Sequence, residues 1–155
     1  MKKMYNRFRL IICLFFLFVV SSCEDFLPFD QVNCIWVKNE SNQLIHFLVG
    51  YNYPDTTIPD AYNKRKGVST NSKTPYDSKE KWEDVFKALP SDALSVFIFS
   101  IDDLNKYDWQ TVRKEYKILK RYDVSLQDLE RLEYLLTYPP TEAMKNVKMY
   151  PPYGK

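Results

Sequence analysis

The chain has 155 residues, 45% of them hydrophobic, with 22 Lys and Arg against 20 Asp and Glu; that is enough for one domain with a buried core. So even a charge balance predicts no basic face for nucleic acid. With three cysteines and a single histidine, the chain is short of the ligands a zinc site draws on and of a base for a serine or cysteine nucleophile.

The first 22 residues are unlike the rest. Lys2, Lys3, Arg7 and Arg9 stand without an acid, residues 11–20 are wholly apolar, and Ser21-Ser22 precede Cys23. A basic end, a short apolar run and small residues form a secretory signal, and about ten apolar residues at about 1.5 Å each cover only half of a roughly 30 Å bilayer core. The ending Val20-Ser21-Ser22-Cys23 resembles the lipobox of bacterial lipoproteins. That resemblance implies a type II signal peptide over residues 1–22, cleavage before Cys23, and a lipid on its sulfur. Acyl chains contribute about 0.8 kcal/mol per buried methylene, so two or three of them anchor stably. Glu24-Asp25 resembles the export signal of surface lipoproteins in the Bacteroidota, which implies an outer-membrane protein facing outward. Residues 23–31 form a lipidated cysteine and short tether, and residues 32–155 a single globular domain.

Removing residues 1–22 takes four of the 22 basic residues and none of the 20 acidic ones, turning a net charge of +2 into −2. Cys13 leaves with the leader and Cys23 carries lipid. Cys34 is then alone, so no internal disulfide forms and the core must hold the domain.

Residues 32–38 and 44–51 are rich in β-formers and predict two strands joined by a polar loop of hairpin length at residues 39–43. The second is apolar on both faces, which places it centrally. Cys34 reads as a buried structural thiol. His46 reads as a hydrogen-bonded residue facing a helix or solvent. Residues 52–76, with Pro54, Pro59, Gly67 and Pro75, read as a long irregular stretch. Its basic knot Lys64-Arg65-Lys66 reads as a solvated loop tip able to touch anionic lipid or sugar. Tyr51, Tyr53, Tyr62 and Tyr76 flank this stretch. They are the candidate binding residues, because exposed tyrosines stack on sugars or anchor protein interfaces and loops carry such sites.

Residues 77–89 predict a helix, with Trp82, Val85, Phe86 and Leu89 on one stripe, Asp77 and Glu80 as a capping pair and Pro90 as its stop. Residues 94–101 predict an interior strand ending in an acidic turn at residues 102–108. Counted from Asp103, that turn has Asp108 where a calcium loop needs glycine and Lys114 where it needs an acid, so the motif fails. Asp108 caps a second helix, residues 109–117. A strand over residues 118–124 follows, then a Ser125/Asp128 capping box opening a short helix over residues 126–133. A last strand covers residues 134–138, and the tail packs back through Met144, Val147 and Tyr150.

Three segments in this half, Asp92-Ala-Leu-Ser-Val-Phe-Ile-Phe-Ser100, Ile118-Leu-Lys-Arg-Tyr-Asp-Val-Ser-Leu-Gln-Asp-Leu129 and Thr137-Tyr-Pro-Pro140, resemble a group of small Bacteroidota lipoproteins. The likeness covers core and turn positions, implies location and single-domain architecture, and carries no activity or site residue with it.

The expected fold is α+β, a mostly antiparallel sheet of four or five strands with two or three short helices; a β-sandwich with helical insertions is the alternative. Too few glycines remain for a phosphate cradle or dinucleotide fingerprint, so no cofactor, metal or catalytic residue is expected. The expected function is a non-catalytic binding or accessory module, bound to the membrane through Cys23 and meeting a protein partner or a glycan. The alternatives are a small carboxylate-dependent hydrolase and an immunity or inhibitor protein.

Overall fold

A computed structural model describes residues 33–155. The expected signal peptide, lipidated Cys23 and tether lie outside the described residues. Eight strands and four helices follow in chain order: β1 (Cys34–Asn39), β2 (Ile45–Gly50), β3 (Lys66–Val68), β4 (Ser72–Asp77), α1 (Trp82–Ala88), β5 (Ala93–Ser100), α2 (Ile101–Lys106), α3 (Trp109–Lys114), β6 (Lys120–Ser125), α4 (Leu126–Arg131), β7 (Leu135–Tyr138) and β8 (Lys148–Tyr150). The class is α+β, as expected.

Five strands form one antiparallel sheet in the order β3-β2-β5-β6-β8. A second sheet of three, β4-β1-β7, has β1 antiparallel to β4 and parallel to β7. Alternation decides which faces meet. Ile35 and Val37 of β1 are buried while Trp36 and Lys38, which alternate with them, are not. They join Phe47, Val49, Leu94, Val96, Ile98, Tyr122 and Val124 of the larger sheet in one core. Trp82 and Phe86 of α1 and Leu129 of α4 enter the same core, and the Tyr122 hydroxyl donates to Thr137 O of β7 at 2.9 Å, tying sheet to sheet.

The other face of the larger sheet is also covered. Leu48, Phe97 and Phe99 pack with Ile58 and Val112, and Leu104, Tyr107, Trp109, Tyr116 and Ile118 close over them. This explains why all eight residues of β5 are buried: a strand covered on both faces reads as a continuous apolar run.

Several expectations are corrected. Residues 39–43 do not turn a hairpin, because β1 and β2 belong to different sheets. The buried Asn39 drives the crossing: its Nδ2 donates to Gln43 O at 2.8 Å and to Val68 O of β3 at 2.9 Å, and its Oδ1 accepts from Ser41. The irregular stretch 52–76 contains β3 and most of β4. Pro75 is tolerated there because β4 is an edge strand with β1 as its only ladder partner. Pairing with Cys34 takes Asp77 into β4, so the Asp77/Glu80 cap does not form. The helix starts at Trp82 after Lys81, which makes no side-chain cap, and its stripe is otherwise as expected. The acidic turn at residues 102–108 is largely helical: Ser100 Oγ accepts from Asp102 N at 3.1 Å and starts α2. Two carboxylates in its first turn suit the helix N-terminus. The Asp108 cap and the Ser125/Asp128 capping box are both present. Met144 and Val147 are buried as expected, but Tyr150 is 51% exposed and belongs to β8. Cys34 is half-buried rather than buried, its thiol donating to Asp77 Oδ1 at 3.1 Å. Burial, and then the Asp77 carboxylate, push that thiol above its ordinary pKa.

Candidate functional site

The four candidate tyrosines do not gather at one place. Tyr51 donates its hydroxyl to that of Tyr76 at 3.0 Å, and Tyr76 packs on Phe47 and Trp82 at 6.3 and 6.4 Å between ring centroids. Both rings line the main core, and burial raises the Tyr51 pKa. Tyr53 sits elsewhere, where its hydroxyl accepts from Lys148 and the ammonium lies 5.1 Å from its ring centroid. Tyr62 is apart from all three and is 49% exposed.

Tyr62 ends a ladder of aromatic rings that starts inside the second core. Phe99 of β5 is fully buried, and Trp109, the first residue of α3, meets it edge to face at 5.6 Å. Trp109 in turn meets Tyr62 at 5.8 Å and 71°. Such edge contacts contribute about 0.5–1.5 kcal/mol beyond the area they bury. Asp108 fixes the position of Trp109 by capping α3, its carboxylate accepting from Thr111 N at 3.0 Å and Thr111 Oγ1 at 2.7 Å. A single 3-10 turn, Tyr62–Lys64, presents Tyr62. Arg65 completes the site, its guanidinium 3.8 Å over the Tyr62 ring and 5.3 Å from that of Trp109. The Arg65 Nε donates to Tyr62 O at 2.9 Å.

His46 shares this side of the sheet, being in register with Phe99. The expected hydrogen bond is not made among the described residues: Nδ1 is buried with no partner there, and so is Trp109 Nε1. Burial, and then the Arg65 charge, lower the His46 pKa, so the imidazole is neutral at pH 7.

Farther along the same sheet face lies a closed polar network. Asp123 accepts from Ser95 Oγ at 2.7 Å and from Arg121 Nε and Nη2 at 2.9 and 3.0 Å. Arg121 also donates to the Tyr116 hydroxyl, which donates to Thr56 O at 3.0 Å. Asp123 is the one buried acid among the described residues, and its oxygens are taken. Two hollows lie elsewhere. A groove of about 670 Å³ between α1 and α4 is lined by Phe86 and Leu126 with Glu83, Lys87, Asp92 and Ser125. A smaller cleft of about 320 Å³ runs beside Tyr138, Pro139 and Tyr153. On its wall the buried Lys120 donates to Pro151 O and Lys155 O, both at 3.0 Å.

Among the described residues no three His, Cys, Asp or Glu side chains gather as metal ligands, and no helix is long and apolar enough to cross a membrane. Of the site residues, Tyr62 was legible as an exposed loop tyrosine and Arg65 as part of the basic knot. Trp109 carries only the pattern of a helix stripe, and nothing local in the sequence pairs it with Tyr62. No family model, curated protein or solved structure matches the chain.

Proposed function

We propose that this chain is a lipid-anchored binding module of the outer membrane, held by Cys23 and facing outward, that takes a glycan at Tyr62 without catalysis. The observation that carries the reading is the ladder Phe99–Trp109–Tyr62. A ring that is half exposed yet braced from the core offers apolar area at little further entropic cost, which is how aromatic side chains serve as rigid binding anchors. The commitment of Asp123 to Arg121 and Ser95 also argues for binding over carboxylate hydrolysis.

The test is retention of the detergent-solubilised full chain on a glycan array, with Tyr62→Ala beside wild type. Retention lost in Tyr62→Ala at an unchanged melting temperature supports the reading, and no retention by wild type on any glycan removes it. Cys23→Ala should leave the membrane fraction, and protease should digest wild type on intact cells; protection until the outer membrane is opened would place the domain in the periplasm. A protein partner is the second reading. Tyr, Trp and Arg, which meet here, are the residue types most enriched at interface hot spots. Crosslinking to one dominant partner at Tyr62 would favour it.

A further inference from the structure

We infer that Arg65 makes this site selective for an anionic sugar, one carrying a carboxylate or phosphate that the guanidinium grips while the sugar ring lies against Tyr62. The inference rests on the glycan reading above and names its ligand class.

The four arginines of the described residues differ in one respect. Arg113 donates to Ile58 O and Gln110 and pairs with Asp60 at 3.4 Å. Arg121 donates to Asp123 and Tyr116. Arg131 donates to Ala143 O and Asp128. Each of these uses at least one Nη nitrogen on the protein. Arg65 uses only Nε, on Tyr62 O, and its two Nη groups meet no acceptor among the described residues.

This guanidinium is nonetheless held in place. The Nε bond to Tyr62 O fixes one edge, and the guanidinium carbon lies 3.8 Å over the centroid of the Tyr62 ring. The outer edge, with two parallel N–H groups, is the geometry that takes a carboxylate or phosphate in a bidentate grip. An arginine so fixed loses less rotamer freedom on binding than a solvated one does.

The surrounding charges leave this cation uncompensated. Asp60, close in sequence, is paired to Arg113. Lys66 is paired to Asp77 at 3.2 Å and donates to Pro75 O. Lys64, exposed on the 3-10 turn, has no acid within salt-bridge distance among the described residues and adds to the attraction. The polar nitrogens of His46 and Trp109 left without partners lie beneath the same cluster. A local basic tip on a domain whose charges nearly balance, with 18 Lys and Arg against 17 Asp and Glu over residues 33–155, is the arrangement that steers an anion to one place.

The experiment uses the detergent-solubilised full chain against three immobilised polysaccharides: polygalacturonate for the carboxylate, phosphomannan for the phosphate and dextran as the neutral control. Wild type should be retained by one or both acidic polymers and not by dextran, and which one holds it tells carboxylate from phosphate. Arg65→Gln should weaken that retention about 10- to 100-fold, the range for losing hydrogen bonds to a charged group. Arg65→Lys keeps the charge but loses the fork, and should recover only part of it. Free galacturonate or mannose 6-phosphate should also shift the ring-proton resonance of His46, the chain's one histidine, in wild type and not in Arg65→Gln. Retention on dextran that is lost in Tyr62→Ala and kept in Arg65→Gln would overturn the inference while leaving the glycan reading in place. Acidic retention that is equal in wild type and Arg65→Gln would overturn it too. Retention on none of the three would remove both.

Discussion

Asp123→Ala is the perturbation that most directly probes how the site's scaffold is held. The carboxylate is 1% exposed and its partner Arg121 side chain 12%. Removing the carboxylate deletes three hydrogen bonds at 2.7, 2.9 and 3.0 Å and leaves a guanidinium and a hydroxyl unpaired in a nearly dry layer. Breaking one side of a buried pair costs about 3–5 kcal/mol. For a domain of this size, each kcal/mol moves the melting temperature by roughly 3–5 °C, so the expected fall is about 10–20 °C by differential scanning fluorimetry. Replacing both partners with apolar residues, Asp123→Leu with Arg121→Met, removes the stranded charge and should recover most of the loss. Hydrogen exchange adds a spatial readout. Arg121 holds Tyr116, which holds Thr56 O, so amides around Thr56 should exchange faster in Asp123→Ala while those of β5 stay protected. A melting temperature within about 2 °C of wild type would refute the premise that this pair is desolvated and structural.

Four further outcomes follow from the same structure. Ser125→Ala removes the hydroxyl that accepts from Asp128 N and donates to its carboxylate, and should cost about 1 kcal/mol in urea unfolding. Burial alone would raise the Asp128 pKa, but bonds from Arg131 and Ser125 outweigh it and hold the group below its ordinary 3.8. Its contribution is therefore whole above that value and is lost as pH falls through the lower folded-state value; Asp128→Asn should flatten acid unfolding in that window. Gly50→Ala puts a methyl 3.1 Å from both Phe97 Cε2 and Pro59 Cγ, and should destabilise by about 1–3 kcal/mol through overpacking; an unchanged denaturation midpoint would show that the loop at Pro59 yields freely. The His46 pKa is depressed first by burial and then by Arg65, so Arg65→Gln should raise it in an NMR titration. Because the unfolded chain takes up that proton first, stability should fall as pH drops from 6.5 toward the folded-state value, and fall less in the variant.

What the sequence disclosed was local. The stripe Trp82, Val85, Phe86 and Leu89, the apolar run of β5 and the caps at Asp108 and Ser125 are each written within a few residues, and each is present. What it hid was set by distant partners. The β4 segment, Ser-Lys-Thr-Pro-Tyr-Asp, carries turn-like residues, and it is a strand because β1 offers it an edge. β3 and β8 span three residues each, too few to show a period. The site divides in the same way. An exposed tyrosine in a loop was visible, but the ring that braces it comes from α3 and the ring behind that from β5. Tyr51 and Tyr76, equally prominent as residues, turn out to share a hydrogen bond at the edge of the core. Only the packing separates an anchor from a wall.

The central place of β1 in the smaller sheet sets an order of arrival. Its two neighbours are residues 72–77 on one side and residues 135–138 on the other. A chain delivered from its N-terminus, by a ribosome or through a translocation pore, presents Ile35 and Val37 first and their parallel partner last. Until Leu135–Tyr138 emerges, one edge of β1 is an open template, and closing so long a loop is slow because its entropy is spent before any contact rewards it. Early strands left waiting in this way are those most exposed to mispairing with another copy. A chain truncated before Leu135 keeps most of the larger sheet and loses the strand that completes the smaller one. The vulnerable moment for this domain is thus its delivery, when the first strand to arrive is among the last to be satisfied.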